Sequence, residues 1–405
     1  MPEAVLTRTL ANGLRLVLAP DAEAQTVALG FFVNTGARDE APAELGASHF
    51  LEHLMFKGSV ALSAAELNER LDRLGGHVNA FTGEELTVYH AAALPERAPE
   101  LLSVMAELMR PALREADVEL ERGVILEEIA MYADDPASRV FDLARAAYWD
   151  GHSLGQLVLG TPETVGGLRA PDLRAALDTR YGTARTLLVA CGALDPEALT
   201  RQAEALTRDW PRGGFARTHP PHRAQARELR VRDARLGRTQ FALLAPGVAA
   251  DDPRREAAAV LAEVIGGENG RLYWTLIEPG LADSADLSHN DFDETGSFEG
   301  GWSCDPERAE TSAQVVRDLL EELQRAGVTA AEVARAQRKL AVATLLREET
   351  PYGRLFDLGE SALSLGSPLS VEAQLTRLQS VTPEAVNALL ARRPFSAATV
   401  AQLGP

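Results

Sequence analysis

Three residues within a short segment have the types and spacing of a metal-dependent hydrolase. His49, Glu52 and His53 form a His-x-x-Glu-His pattern. Residues three and four positions apart lie on one face of a helix, so the two imidazoles can bind one Zn²⁺. The carboxylate between them can reach a metal-bound water and accept its proton as attack begins. The pattern therefore predicts zinc-assisted hydrolysis, with Glu52 as the general base.

The neighbours of this pattern indicate that its helix is largely buried. They are mainly large and apolar, namely Phe50, Leu51, Leu54, Met55 and Phe56. The competing interpretation is an exposed helix that carries polar residues without a metal. Burying two imidazoles and a carboxylate without a partner would be costly, and a metal ion would offset that cost. We therefore expect a metal.

A third protein ligand must come from elsewhere in the chain, because a catalytic zinc site usually has three. The predicted helix over residues 115–131 is rich in carboxylates. Its acidic residues are Glu115, Asp117, Glu119, Glu121, Glu127 and Glu128. Glu121 and Glu128 are seven positions apart and hence share a helix face. The chemistry of the residues does not choose between them.

Longer stretches around these residues resemble a known family. His-x-x-Glu-His is the inverted form of the commoner His-Glu-x-x-His motif. It is accompanied by Asn-Thr-Gly-Ala-Arg-Asp-Glu at 34–40, Gly-Gly-His-Val-Asn-Ala-Phe-Thr at 75–82 and Glu-Arg-Gly-Val-Ile-Leu-Glu-Glu-Ile at 121–129. Together these segments resemble the pitrilysin or insulinase family of zinc peptidases, which includes the mitochondrial processing peptidase. The resemblance extends over essentially the whole chain and is strongest over 30–136.

The resemblance assigns roles to further residues. It implies that Glu128 is the third ligand of one Zn²⁺ per chain, and that Glu121 supports the site, for example as a partner of a ligand histidine. Mn²⁺ or Co²⁺ in place of zinc stays open. Asn79 and Ala80 correspond to the edge strand that holds the substrate backbone in extended form. His77 and His90 are expected to be structural.

The second half departs from the family's pattern. Family members usually carry an Arg-Glu-x-x-x-Leu-x-Tyr segment, whose arginine and tyrosine reach the substrate carbonyl. Ile277 and Asp283 stand at those two positions here, and neither can donate a hydrogen bond to an oxyanion at neutral pH. We therefore expect a metal-bearing subunit, in a homodimer or in a heterodimer with a homologous chain that supplies Arg and Tyr. The alternative is that zinc and another local donor suffice, in a homodimer or a slow enzyme.

The order of predicted elements restarts after a stretch rich in Pro, Gly and Arg. This predicts an N-terminal domain over 1–212 with the zinc site, a linker at 213–227, and a C-terminal domain over 228–405 without a metal site. The expected fold class is α+β, in two homologous halves of about 200 residues. Each half would be a mainly antiparallel sheet with helices packed on one face.

Charge and composition restrict the classes of partner. The chain has 405 residues and a formal net charge of −19, which argues against binding nucleic acid or an anionic membrane. No run approaches the ~18 apolar residues of a membrane span, and the start shows no export signal, so a cytoplasmic protein is expected. Only Lys57 and Lys339 are lysines, and we infer nothing functional from this usage.

Two functions are compatible with the sequence. The first is a zinc metalloendopeptidase that cleaves unfolded peptides or oligopeptides within an enclosed chamber formed by two chains. The second is a non-catalytic structural or regulatory subunit of a peptidase-like complex. The complete set of His49, Glu52, His53 and Glu128 favours the enzyme, because a scaffold has no chemical need for all four.

Overall fold

The structure, a computed structural model, describes residues 5–405. Contacts divide the chain into two compact units that interleave along the sequence. The first unit comprises the residues up to 129 together with 156–218 and 346–370, and the second comprises 130–155, 219–345 and 371–405. The predicted domains 1–212 and 228–405 are contiguous, whereas each compact unit also takes in one segment from the other half of the chain.

The first unit is built on a mixed sheet. Its strands are β1 (Leu6–Thr9), β2 (Arg15–Pro20), β3 (Val27–Val33), β4 (His77–Thr82), β5 (Thr87–Ala93) and β6 (Thr186–Gly192). Their order is β1-β2-β6-β3-β5-β4, so β4 forms one edge. The β2–β6 pair is parallel and the other pairs are antiparallel. Strand β3 is fully buried and lies between β6 and β5 in the sheet.

Helices of the first half pack on one face of this sheet, except α5 (Pro136–Tyr148), which belongs to the second unit. In chain order the helices of the first half are α1 (Ala47–Met55), α2 (Ala64–Arg73), α3 (Ala98–Leu108), α4 (Glu115–Asp134), α5 (Pro136–Tyr148), α6 (Pro162–Gly167), α7 (Ala170–Arg180) and α8 (Pro196–Thr207). Side chains such as Phe50 of α1 and Leu101 of α3 pack with Leu29 and Phe31 of β3 in the main core of the unit. This core holds α1, the helix with the His-x-x-Glu-His pattern, against the sheet.

The second unit has a similar sheet with one strand fewer among the described residues. Its strands are β7 (Arg227–Arg232), β8 (Thr239–Pro246), β9 (Ser284–Phe292), β10 (Thr295–Cys304) and β11 (Thr399–Gly404). The order β7-β11-β8-β10-β9 repeats the arrangement β2-β6-β3-β5-β4, again with one parallel pair. The helices of the second half are α9 (Arg255–Gly266), α10 (Ala309–Ala326), α11 (Ala330–Glu348), α12 (Pro351–Ser364), α13 (Val371–Gln379) and α14 (Pro383–Leu390).

One helix also packs on the other face of each sheet. Leu355 and Leu358 of α12 pack against Phe32 and Val189 in the first unit. In the second unit, α5 packs against β8 and β11 in the same way. The predicted fold class, α+β in two halves of similar architecture, is confirmed, and α5 and α12 add a helix to the sheet face that was expected to be bare.

The remaining features of the fold are the character of its helices and the state of its two cysteines. Within residues 5–405, no helix combines the length and apolar character needed to cross a bilayer. Cys191 and Cys304 are both buried free thiols, which agrees with the low cysteine count of the sequence.

Candidate metal centre

Helix α1 begins after a glycine with left-handed backbone geometry. Its N-cap is Gly46, with φ at +91°, a value that L side chains rarely adopt. A Cβ atom there would also lie 2.6 Å from the carbonyl oxygen of Leu159. Glycine is therefore required by both conformation and space.

A buried carboxylate caps the start of α1. Glu40 accepts hydrogen bonds from the backbone amides of Gly46 at 2.7 Å and Ser48 at 2.5 Å, which would otherwise lack partners at the helix end. Burial raises the pKa of Glu40 to about 7, although the bonds from Ser48 and Gly46 and the charge of Arg180 act in the opposite direction. Glu40 thus holds the first turn of the helix that carries His49.

The structure brings together the three residues proposed as metal ligands. The Nε2 atoms of His49 and His53 lie 3.7 Å and 3.5 Å from the same carboxylate oxygen, Oε2 of Glu128. One ligand atom from each residue lies within 4.8 Å of the others. Glu128 reaches this position because it continues the inward face of α4, which also carries the buried side chains of Glu121 and Ile125.

The geometry and chemistry of these atoms fit a divalent cation. Donors at about 2.0–2.1 Å from a tetrahedral ion stand about 3.3 Å apart, close to the separations found here. Burial, and then the neighbouring His53, lower the pKa of His49 to about 4, so this imidazole is neutral at physiological pH. Two neutral imidazoles and a carboxylate oriented in this way are a donor set that suits Zn²⁺.

Glu52 lies on α1 between the two histidines and contacts the edge strand. Its Oε2 accepts a hydrogen bond from the Thr82 hydroxyl at 2.5 Å. Burial is the largest influence on this carboxyl and raises its pKa above the ordinary value, while the Thr82 hydrogen bond lowers it. A raised pKa brings a carboxylate closer to the range in which a general base works well.

Glu121 joins one ligand histidine to a lysine. Its Oε2 lies 3.0 Å from Nδ1 of His53, and its Oε1 lies 2.6 Å from Nζ of Lys57. The Glu121 side chain is only 5% exposed, and each of its two oxygens has one of these partners. A carboxylate that accepts from Nδ1 directs Nε2 towards a metal and fixes the imidazole ring.

Comparison with known sequences shows the family of the chain. Residues 15–162 match the family described as "Insulinase (Peptidase family M16)", and residues 167–340 match "Peptidase M16 inactive domain". The two matches together span most of the chain. The chain belongs to peptidase family M16.

Several M16 relatives are similar over nearly their whole length. An "uncharacterized zinc protease" of Streptomyces coelicolor is 34% identical over 95% of this chain and 87% of its own. The "mitochondrial-processing peptidase subunit beta" of Bos taurus is 28% identical over 100% of this chain and 85% of its own. A solved protease structure from Helicobacter pylori superposes with a TM-score of 0.91 at 19% identity, covering 100% of both chains, and shows the same fold.

The residues assigned to the substrate strand lie on β4, at the edge of the first sheet. Asn79 is exposed, and its Oδ1 accepts from the backbone amide of Ala80 at 2.9 Å. Ala80 packs towards the main core of the unit. His77 and His90 are not part of the cluster of His49, His53 and Glu128, and their rings stack with centroids 6.4 Å apart. The edge position of β4 leaves a strand side open for pairing.

Ile277 and Asp283, which the resemblance places at the positions of the family's Arg/Tyr pair, make other contacts in the second unit. Ile277 ends a π-helical turn and packs against the apolar core of that unit. Asp283 forms an ion pair with Arg238. Neither side chain offers a free donor group, so within the described part of the chain these two positions do not supply the family's pair.

Two contacts of the M16 site were not predicted from the sequence. Thr82 is bonded to Glu52 and Lys57 to Glu121, although 30 and 64 positions separate the partners. Thr82 ends the family-like block at 75–82, and Lys57 lies shortly after the His-x-x-Glu-His motif. That proximity is the signal that could have indicated them.

Proposed function

We propose that this chain is a zinc-dependent endopeptidase that hydrolyses unfolded peptides or oligopeptides and binds one Zn²⁺. The observation that carries the proposal is the convergence of His49, His53 and Glu128, with separations of 3.5 Å and 3.7 Å to one carboxylate oxygen. Glu52 on the same helix turn supplies a carboxylate that is not among these donors. Relatives named as zinc proteases support the same conclusion.

Each residue has a defined task in this proposal. When bound, Zn²⁺ would supply Lewis-acid chemistry that acidifies water for attack on a peptide carbonyl. Glu52 accepts the proton of the attacking water and passes it to the leaving amine. Glu121 holds the ring of His53 through Nδ1. The neutral imidazole of His49 is ready to coordinate without first losing a proton.

The edge strand β4 is the proposed substrate platform. An extended peptide that pairs with an edge strand binds through its backbone, which would favour unfolded over folded chains. Asn79 and Ala80 lie on this strand, and Thr82 at its end contacts Glu52. A peptide paired with β4 would therefore run past the proposed general base. We propose that hydrolysis takes place within an enclosed chamber, which would limit substrates by size.

We further propose that a second, homologous chain supplies the missing Arg/Tyr pair. Ile277 and Asp283 occupy the corresponding positions here. The relative from Bos taurus is named as one subunit of a processing peptidase, which supports a subunit role. A homodimer in which another donor replaces the pair is the alternative arrangement.

A non-catalytic scaffold is the competing function, favoured by the match of residues 167–340 to a domain described as inactive. Metal content and hydrolysis of the Glu52→Gln variant separate the two. The enzyme should hold about one zinc per chain, and Glu52→Gln should keep that zinc while losing at least about 100-fold in kcat. Absence of zinc after zinc-replete purification would support the scaffold, and full activity of Glu52→Gln would refute the assigned base.

A further inference from the structure

Thr82 is the last residue of β4, and its side chain turns towards α1. Residues 78, 80 and 82 of β4 alternate with the more exposed 77, 79 and 81. The Thr82 hydroxyl donates to Oε2 of Glu52 at 2.5 Å, within the short range of hydrogen bonds to a charged acceptor. This contact ties the metal-bearing helix to the edge strand of the sheet.

The same contact leaves one carboxylate oxygen of Glu52 available. Within residues 5–405, no second hydrogen bond to the Glu52 carboxylate forms. Oε2 is therefore held by Thr82, while Oε1 remains free to accept a proton. A carboxylate fixed at one oxygen presents the other in a single direction, which is what a general base requires.

Threonine suits this position for two reasons. Its β-branched side chain has a restricted χ1 angle, which holds the hydroxyl in place, and it is favoured in strands. The backbone of Thr82 belongs to the strand on which the substrate would lie. The same strand would therefore hold both the Glu52 carboxylate and the substrate. A misplacement of about 1 Å at a reacting group can cost about 100-fold in rate.

We propose that Thr82 is a positioning residue that orients the Glu52 carboxylate relative to a peptide on β4. The proposal rests on the proposed peptidase function. Thr82 acts through Glu52 and is not itself expected to contact the metal. Its loss should therefore lower kcat without changing the zinc content or the KM.

The test compares Thr82→Val, which keeps the shape but removes the hydroxyl, with Thr82→Ser, which keeps the hydroxyl. The matched control is Thr87→Val, because Thr87 faces Thr82 across the β4–β5 pair but donates to the carbonyl of Thr35 instead. On a quenched-fluorescence unfolded peptide, we expect Thr82→Val to lose about 10- to 100-fold in kcat. Thr82→Ser and Thr87→Val should stay within about threefold of the unsubstituted chain.

The double variant Glu52→Gln/Thr82→Val tests the route of the effect. If Thr82 acts through Glu52, adding Thr82→Val should cost nothing beyond Glu52→Gln alone. A further loss of the same size as in the single variant would overturn the proposal. So would a kcat of Thr82→Val within threefold of the unsubstituted chain.

A crystal structure of zinc-loaded Thr82→Val provides a readout that needs no activity. We expect the Glu52 carboxylate to leave its position or to occupy more than one rotamer, with the metal ligands unchanged. An unmoved, single Glu52 conformer would overturn the positioning role. Failure of the unsubstituted chain to bind zinc would instead refute the proposed function, so the two failures are distinguishable.

Discussion

Burial acts on two neighbouring side chains of α1 in opposite and complementary ways. It lowers the pKa of His49 to about 4, and it raises the pKa of Glu52 above its ordinary value. The first effect keeps an imidazole neutral and able to coordinate, and the second makes a carboxylate a better proton acceptor. Burial of the same helix thus suits both the proposed ligand and the proposed base.

At the residue scale, Glu121 should control the affinity of the metal centre. Glu121→Gln keeps the size of the side chain but removes the charged acceptor for Nδ1 of His53 and the partner of Lys57. We expect zinc binding to weaken by about 10- to 100-fold, measured by competition with a chromogenic chelator.

The control for this prediction is Glu119→Gln on the same helix. Glu119 is exposed and pairs with Arg122 rather than with a ligand histidine. The zinc affinity of the Glu119→Gln variant should equal that of the unsubstituted chain. Equal affinities for the Glu121 and Glu119 variants would show that the His53–Glu121 contact has no part in metal binding.

The residues of the site differ in how far the sequence could identify them. His49 and His53 follow from helical spacing, because both belong to one turn of one helix. Glu128 lies on a distant helix, and only the family resemblance selected it from six carboxylates. Thr82 and Lys57 could not be derived from spacing, since their contacts depend on how β4, α1 and α4 pack.

At the element scale, the buried cap of α1 predicts an unusual pH dependence of stability. The pKa of Glu40, about 7 in the folded protein, lies above that of the unfolded chain, so the folded state holds this proton more tightly. The resulting stabilisation, of the order of 3 kcal/mol, is complete below about pH 4.5 and is lost as the pH rises through about 7. Arg180, which also pairs with Glu44, is the charged group facing Glu40 and limits the effect.

Glu40→Gln removes this ionisation and should remove its contribution to the pH profile. The free energy of unfolding, measured with urea between pH 4.5 and 8, should fall less steeply with pH in the variant than in the unsubstituted chain. The absolute stability of the variant should be lower, because an amide replaces one acceptor of the cap. Parallel profiles for the two proteins would contradict the assignment of a raised pKa to Glu40.

The elements near the site were predicted more completely than those that cross between the halves of the chain. The Ser63–Glu66 capping box opens α2, and the apolar runs of β3 and β6 are typical of buried strands, so these elements follow from local sequence patterns. Pro136 follows the end of α4 and is also the first residue of α5, with Asp135 as the N-cap. α5 and α12 pack on sheets built mainly from the other half of the sequence, a pairing that local patterns do not contain.

At the scale of the whole molecule, the question is whether one chain is a complete enzyme. The first unit carries the three proposed metal ligands and the proposed base, whereas the second has Ile277 and Asp283 at the positions that the resemblance assigns to the family's Arg/Tyr pair. We therefore expect the purified chain alone to hydrolyse unfolded peptides slowly, with at least about a 100-fold lower kcat than with a complementing subunit, because oxyanion donors contribute about 10²- to 10³-fold.

The measurement is kcat of the chain alone and after addition of a homologous chain that carries Arg and Tyr but lacks the zinc motif. The control is the same mixture made with the Glu52→Gln variant, whose kcat the added chain should not restore. High activity of the chain alone would contradict the need for a partner while leaving the metal centre intact.

The most direct test of the metal centre is anomalous X-ray scattering at the zinc absorption edge, from crystals grown with zinc. We expect one peak per chain at about 2.0–2.2 Å from Nε2 of His49, Nε2 of His53 and a carboxylate oxygen of Glu128. A peak ligated by other residues, or no peak at these three side chains, would contradict the assignment of a zinc peptidase.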